Sequence, residues 1–333
     1  MFGYLRLILS LFVLISHLGI TFYGLNPGVI AVVIFYILAG YVVSHLYAHI
    51  IPNQKGKILL FYKNRIKRIF PLYLYTLFLT LIFILITSFG TPEFTPLKLL
   101  NNLLIIPLNF YMLMDNTILT NPAWWLIPPA WSLGTELQAY ILLPFALLYP
   151  KIRQTLMLLS FAIYILANYS IIHPDYFGYR LIVGVFFIFL IGVDIEKNSH
   201  NQNYSYFSPY NIVWLSTIIL ISLSLYFEQE SRTYTKETAI GISMGVPLVY
   251  LMAKSHIKLP LNSLFGALSY AIFLNHFLAI WITKYLLQKY TFIHDTTTIV
   301  VLTLTISIVG IYLEKSFFNK KHQYNHEKSV EKM

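Results

Sequence analysis

Long apolar runs separated by short polar segments dominate the chain. Ten of them approach the ~20 residues that an α-helix needs to cross the hydrocarbon core of a bilayer. Their predicted bounds are 4–23, 29–50, 69–89, 133–149, 155–172, 178–195, 211–228, 238–254, 264–287 and 296–314. This pattern predicts an all-α, polytopic transmembrane bundle of about ten spans. The long connection at 90–132 is predicted to hold an interfacial helix around Leu99 to Met112.

Composition supports a chain whose main solvent is lipid. Of the 333 residues, 57% are hydrophobic and only 11% are charged. Residues 1–318 are expected to form one transmembrane domain, and 319–333 a short basic cytoplasmic tail. The first run, Leu5 to Tyr23, is too long for a signal-peptide core, so it is interpreted as a retained span. The absence of cysteine excludes disulfides, a thiol nucleophile and thiolate metal sites.

The distribution of basic residues predicts the orientation. With both termini in the cytoplasm, six Lys and Arg lie in outside segments, and Arg6 lies at the first inner boundary. The inside segments hold sixteen: Lys55, Lys57, Lys63, Arg65, Lys67, Arg68, Lys151, Arg153, Lys197, Lys254, Lys258, Lys315, Lys320, Lys321, Lys328 and Lys332. This bias favours cytoplasmic termini. The net charge of +10 then indicates contact with anionic lipid headgroups and no nucleic-acid partner.

Glu136 is the first candidate for chemistry. It lies in a polar and aromatic string, Trp131 to Tyr140, at the head of an apolar run. A carboxylate within a membrane segment costs a few kcal/mol, so such residues usually have a function. We expect Glu136 in the outer leaflet.

Two histidines are predicted to share one depth in the membrane. His17 follows Arg6 by eleven residues, and His276 follows Leu264 by twelve. At ~1.5 Å per residue both imidazoles lie roughly 16–18 Å from the inner face. Arg65 and Arg68 would lie at the inner mouth of the same path.

Each of these residues also has a structural interpretation. A membrane histidine can simply bond a neighbouring helix, and Arg65 and Arg68 can anchor lipid headgroups. The Trp residues near 124–131 suit an interfacial aromatic belt. His45 and His49 lie one helical turn apart and could ligate a metal, but no third ligand is visible in the sequence, so no metal is expected.

Five short motifs occur in order along the chain. They are Arg6 to His17 (an Arg, ten residues and a His), Phe35 to Gly40 (FYILAG), Arg65 to Tyr73 (RIKRIFPLY), Trp131 to Gln138 (WSLGTELQ) and Ser269 to His276 (SYAIFLNH). Together they resemble the membrane acyltransferase-3 family, whose members move acyl groups, commonly acetyl, onto sugars of surface polysaccharides, lipopolysaccharide, peptidoglycan and antibiotics.

The resemblance implies an integral membrane O-acyltransferase of the bacterial cytoplasmic membrane. It would move an acetyl group from cytoplasmic acetyl-CoA, or another acyl group from its acyl-CoA, to a hydroxyl of an extracytoplasmic or lipid-linked glycan, without a metal. Some family members carry an esterase-like domain that completes transfer outside the cell. Here a periplasmic or extracellular partner would supply that step, or the step is not needed.

The resemblance also implies roles for residues. His17 would be the general base or a transient acyl carrier, and Glu136 the functional acid, available to orient a histidine. The donor phosphates would be held by Arg65 and Arg68, with Arg6 adding to the clamp.

Three more residues are assigned to the substrate side by the same resemblance: His276, Tyr270 and Trp131.

The chain departs from the family pattern at four positions. The family has Ser-Val where this chain has Gly134 and Thr135, a second Glu where it has Leu137, and Ser where it has Ala39.

Two other classes of protein fit the pattern. A secondary transporter or lipid-linked sugar flippase would also place His, Glu and Arg along a polar path. A noncatalytic membrane scaffold would fold and function with His17→Ala. Dependence on a thioester donor separates the transferase from both.

Overall fold

The computed structural model describes residues 1–199, 209–226, 232–255, 257–288 and 295–330. Its α-helices are α1 Phe2–His17, α2 Pro27–His45, α3 Lys57–Thr87, α4 Pro96–Leu104, α5 Ala130–Leu148, α6 Pro150–Asn168, α7 Ile182–Ser199, α8 Pro209–Tyr226, α9 Thr235–Lys254, α10 Asn262–Leu287 and α11 Asp295–Val330. There are π turns at Leu46–Ile50 and Tyr176–Arg180, a 3₁₀ turn at Ile106–Phe110, and two-residue strands β1 Leu119–Thr120 and β2 Ala123–Trp124. The all-α prediction is confirmed, with this small hairpin added.

Five helical segments of the described chain are long and apolar enough to cross a membrane. They are Pro27–Ile50, Lys57–Thr87, Tyr176–Ser199, Asn262–Leu287 and Asp295–Ser316. Helix α1 is apolar but shorter. The other predicted runs lie on α5, α6, α8 and α9, whose lengths correspond to about 27–30 Å of rise. The protein is therefore a multi-pass membrane protein, and the count of ten spans stays a prediction.

The first helix ends earlier than its apolar pattern predicts. Instead of continuing to residue 23, α1 stops at His17, and Gly19 follows with φ of 82°. Asn26 then caps α2, its side-chain oxygen accepting hydrogen bonds from the backbone N–H groups of Gly28 (2.9 Å) and Val29 (3.3 Å). His17 consequently lies at a helix end beside a turn, and not in mid-span.

Helix α3 begins earlier than predicted, at Lys57 instead of residue 69. The polar stretch before the apolar run is thus helical, and the helix of 31 residues is about 46 Å long. Arg65 and Arg68 lie on this helix, three residues apart, so they share one face. The span predicted at 69–89 leaves both arginines outside the helix, so the structure corrects this boundary.

Residues 90–129 form a folded cap, and the single interfacial helix predicted within them is not continuous. The predicted helix around Leu99 to Met112 is replaced by α4 and the 3₁₀ turn, because Ile105 has φ of 68° and breaks the helix. Side-chain amides hold the segment: Asn101 donates to Asn116 (2.8 Å), and the Asn102 oxygen accepts from the Leu126 N–H (2.9 Å).

Two helix pairs determine the geometry of the centre. Helices α2 and α7 touch backbone to backbone, because a Cβ on Gly40 would lie 1.9 Å from the Phe189 carbonyl oxygen and one on Gly192 would lie 2.0 Å from that of Ile37. Helices α1 and α10 run parallel. The Gly3 N–H donates to the Asn262 side chain (2.8 Å), and Ser269 Oγ donates to the Arg6 carbonyl (2.7 Å).

Candidate active site

A histidine pair joins the end of α1 to the middle of the parallel helix α10. His276 Nε2 lies 3.1 Å from His17 Nδ1, and the two rings stack with centroids 5.0 Å apart. The His276 side chain is buried, whereas His17 opens onto a cavity. The expectation that both imidazoles share one level is met, because the parallel packing advances both chains together.

Hydrogen bonding fixes the tautomers of the neutral pair. The Ile272 carbonyl lies 3.1 Å from His276 Nδ1, and a carbonyl only accepts, so this nitrogen carries the proton. His276 Nε2 is then an acceptor, and His17 Nδ1–H donates to it. His17 Nε2 keeps its lone pair. The outcome is an imidazole that can take a proton at a defined atom.

Three guanidinium groups line a first cavity. They come from Arg6 on α1 and from Arg65 and Arg68 on α3, and Glu136 is the carboxylate that faces them. Positive charge is therefore in excess. Arg65 Nε is buried and has no hydrogen-bond partner among the described residues. A buried, unsatisfied donor in a cationic cavity is suited to an anionic ligand.

Glu136 belongs to this first cavity and not to the histidine pair. It lies with the arginines predicted at the inner mouth, so the expectation that it lies further out than the histidines is wrong. Its carboxylate accepts a hydrogen bond from the hydroxyl of Tyr140, one turn further along α5. The Arg65 guanidinium lies 5.7 Å from the centre of the same Tyr140 ring. Glu136 was the residue expected to orient a histidine, but the side chain that contacts His17 is that of His276.

Tyr270 is also in the first cavity. Its hydroxyl donates to the Ile69 carbonyl (3.0 Å), and the Arg68 guanidinium lies 5.5 Å from its ring centre. This tyrosine therefore joins α10 to α3 and supports one of the arginines.

A second, larger cavity opens from His17 toward the cap. Its lining is strongly aromatic: Phe277, Trp124, Trp125, Trp131, Tyr111, Tyr179 and Tyr234. Arg180 lies among these rings, with its guanidinium carbon 4.3 Å from the Trp131 ring centre. Arg180 Nε donates to Asp175 (2.7 Å). Burial raises the pKa of Tyr111, so its phenol stays a neutral hydrogen-bond donor.

Arg180 was not singled out from the sequence. Its one signal in the sequence is its place among the six basic residues predicted to lie on the outer side of the membrane. Its cage forms from residues far apart in the chain: the Arg180 carbonyl accepts from Asn109 (3.1 Å) and from Thr135 Oγ1 (2.9 Å).

The departures from the family pattern have local explanations. A Cβ on Gly134 would lie 3.0 Å from the Ile105 carbonyl oxygen, so the small residue lets the cap approach α5. Thr135 supplies the hydroxyl that binds the Arg180 carbonyl. The serine that Ala39 replaces would have lined the first cavity.

The two cavities meet at a common wall formed by Val32, Ser132 and Phe273. Arg6 lies on α1 eleven residues before His17, which corresponds to about 16 Å of helix rise. The site is thus elongated, with a cationic chamber at one end and the histidine pair and aromatic chamber at the other.

The mouth of the second cavity carries a fixed negative charge. Hydrogen bonds from Thr117 and Lys98 lower the pKa of Asp115 to about 2. The Lys98 Nζ atom lies 3.0 Å from Asp115 Oδ2. Asp115 therefore stays ionised at any physiological pH.

Comparison with known proteins identifies the family. Residues 2–312 match the family model described as an acyltransferase domain, so the chain belongs to this family of membrane acyltransferases. An uncharacterised protein of Aquifex aeolicus (strain VF5) is 41% identical over 213 residues, covering 61% of this chain and 92% of the relative. No solved structure matches the chain.

Proposed function

We propose that the protein moves an acyl group, acetyl in the first place, from cytoplasmic acyl-CoA to a hydroxyl of an extracytoplasmic or lipid-linked glycan. The observation that carries the proposal is the junction of the two cavities. One is cationic and suited to an anionic donor, the other is aromatic, and His17 lies on the second near their common wall.

The donor occupies the first cavity. The phosphates of coenzyme A bind Arg65, Arg68 and Arg6, whose guanidinium groups favour phosphate oxygens. The arm that carries the thioester then extends along α1 toward His17. The positive-inside distribution supports a cytoplasmic opening for this chamber. Glu136 partly offsets the positive charge, and the Tyr140 ring lies beside the Arg65 guanidinium.

The reaction is a direct acyl transfer. His17 Nε2 takes the proton of the acceptor hydroxyl as its oxygen attacks the thioester carbon. The carbon–sulfur bond breaks, and the coenzyme A thiolate leaves and takes the proton back from His17. His276 accepts the His17 Nδ1–H bond throughout, which holds the ring in the basic tautomer.

The acceptor occupies the second cavity. Sugar rings present C–H faces that pack on aromatic rings, and their hydroxyls bond to charged and polar groups. Trp131 and Tyr179 supply rings, and Arg180 with Asp175 supplies the polar contacts. We place the protein in the bacterial cytoplasmic membrane, with the glycan and membrane lipids as its partners. A periplasmic or extracellular protein completes transfer where the final acceptor lies further out.

The test follows radiolabel from acetyl-coenzyme A into cell-surface glycan, in membranes carrying the wild-type chain, His17→Ala or Glu136→Gln at matched expression. Lys67→Ala is the control, since Lys67 is an exposed neighbour of Arg68 on α3. Label with wild type and Lys67→Ala, and none with the other two, supports the proposal. Equal label in all of these and in empty membranes would overturn it.

A further inference from the structure

A second cluster of ligand-type side chains lies away from the two cavities. His45 ends α2, His49 lies in the π turn Leu46–Ile50, and Glu196 is in the last turns of α7. One ligand atom from each residue lies within 4.8 Å of the others. Glu196 is 147 residues from His49 in the chain, so spacing alone could not reveal this third ligand.

The separations suit a shared cation. Glu196 Oε1 lies 3.0 Å from His49 Nε2 and 3.5 Å from His45 Nδ1. Two ligands of a tetrahedral zinc ion, with bonds of about 2.0–2.1 Å, lie about 3.3 Å apart. The π turn contributes to this arrangement, because such turns change the direction of a side chain relative to a regular helix.

Burial of the carboxylate points to a cation as well. The Glu196 side chain is 3% exposed, whereas those of His45 and His49 are 40% and 51% exposed. Ser44 Oγ donates to Glu196 Oε2 (3.0 Å), which leaves Oε1 directed at the histidines. A hydrogen bond that orients a ligating carboxylate is typical of the environment of metal sites.

We propose that His45, His49 and Glu196 bind one divalent transition-metal ion, zinc in the first place, with water completing the shell on the exposed side. Imidazole and carboxylate are ligands that zinc accepts, and two histidines with one carboxylate are a recurrent set. The competing interpretation is an ion pair between Glu196 and protonated histidines. Lys57 and Lys197 line the adjoining pocket, and the Lys57 ammonium is directed over the Tyr47 ring (4.6 Å).

The ion would join α2 to α7 at the end of their close contact. It would also fix the π turn from which the chain passes through residues 51–56 into α3, the helix that carries Arg65 and Arg68. Its role would be structural, and the inference does not depend on the proposed reaction.

The experiment titrates zinc into the metal-stripped full chain in nanodiscs by calorimetry, using a purification tag without histidine. We expect one ion per chain. His49→Ala and Glu196→Gln should abolish binding within the range of the titration, and Ser44→Ala should weaken it about 10- to 100-fold. His173→Ala is the control, since His173 is an exposed histidine away from the cluster, and it should bind like wild type.

X-ray absorption of the loaded wild type keeps the proposal testable if a variant does not fold. A shell of two imidazoles with oxygen supports it. Three results would overturn the proposal and leave the ion pair. They are no zinc uptake by the wild type, unchanged uptake in both His49→Ala and Glu196→Gln, and a zinc shell without imidazole.

Discussion

His17 and His276 form a one-directional hydrogen bond: the His17 Nδ1–H donates across 3.1 Å to His276 Nε2, because the Ile272 carbonyl holds the proton of His276 on its other nitrogen. In the proposed reaction His276 is therefore a positioning residue, and His17 Nε2 is the atom that takes the proton.

Removing His276, which accepts the hydrogen bond from His17, should slow turnover without weakening the binding of acyl-CoA. His276→Ala removes the acceptor of the His17 Nδ1–H and with it a restraint on rotation and tautomer, so kcat should fall by about 10²-fold or more, the usual scale for a positioned base. His276→Gln offers an amide oxygen to the same N–H and should recover part of the rate. Steady-state kinetics with acetyl-coenzyme A measures both. A change confined to KM for the donor would contradict this role.

The two helical arginines should control donor affinity. Arg65→Ala or Arg68→Ala each removes charge-assisted bonds worth about 1.5–3 kcal/mol, so the Kd for coenzyme A should rise about 10- to 150-fold. The Kd of Arg65→Lys for coenzyme A should lie between these values and that of the wild type, because lysine keeps the positive charge but lacks the planar guanidinium group. Calorimetry with Lys67→Ala as the matched control measures it. Equal affinities in Arg68→Ala and Lys67→Ala would show that these cations do not bind the donor.

Arg180 should affect only the acceptor side. In Arg180→Ala the Trp131 and Tyr179 rings lose the cation between them, and transfer of label to glycan should fall at least about 10-fold. The slow hydrolysis of acyl-CoA by water, measured with no glycan present, should be unchanged. The ratio of the two rates is the measurement, and a parallel loss of both would place Arg180 in the chemistry of the donor.

Direct transfer predicts that no acyl group stays on the protein. A pulse of radiolabelled donor without acceptor should leave the wild type unlabelled after rapid denaturation. Label retained by wild type and lost in His17→Ala would show instead that His17 is a transient acyl carrier.

The contact between α2 and α7 should not tolerate a methyl group. Gly40→Ala and Gly192→Ala each force the backbones apart and should destabilise the fold by about 1–3 kcal/mol or more. Gly266→Ala is the control, because its Cβ would meet its nearest neighbour at 3.7 Å. Thermal unfolding in one detergent compares them. A Gly40→Ala midpoint equal to that of Gly266→Ala would mean that the helices separate at little cost.

Periodicity and depth were sufficient to predict much of this site. The apolar runs located the helices, and counting residues along two of them placed His17 and His276 at one level. The guanidinium cluster followed from positive charge at the start of α3 and from the family motifs.

What the sequence could not supply are contacts between distant residues and departures from regular helix. The aromatic cage of Arg180 depends on a cap folded by Asn102 and Asn116, and His49 reaches Glu196 from a π turn. The early end of α1 at His17 depends on a turn that hydropathy does not register, since residues 18–23 are as apolar as the helix before them.

The parallel pairing of α1 with α10 has a consequence for biosynthesis. Helix α1 is made first, but the residue that fixes the proton on His17 comes 259 positions later. Until α10 has inserted and packed along α1, His17 lacks this partner and the histidine pair of the proposed reaction does not exist. For the proposed reaction, catalytic competence therefore coincides with near-completion of the bundle, and a ribosome-bound or truncated chain would not consume acyl-CoA.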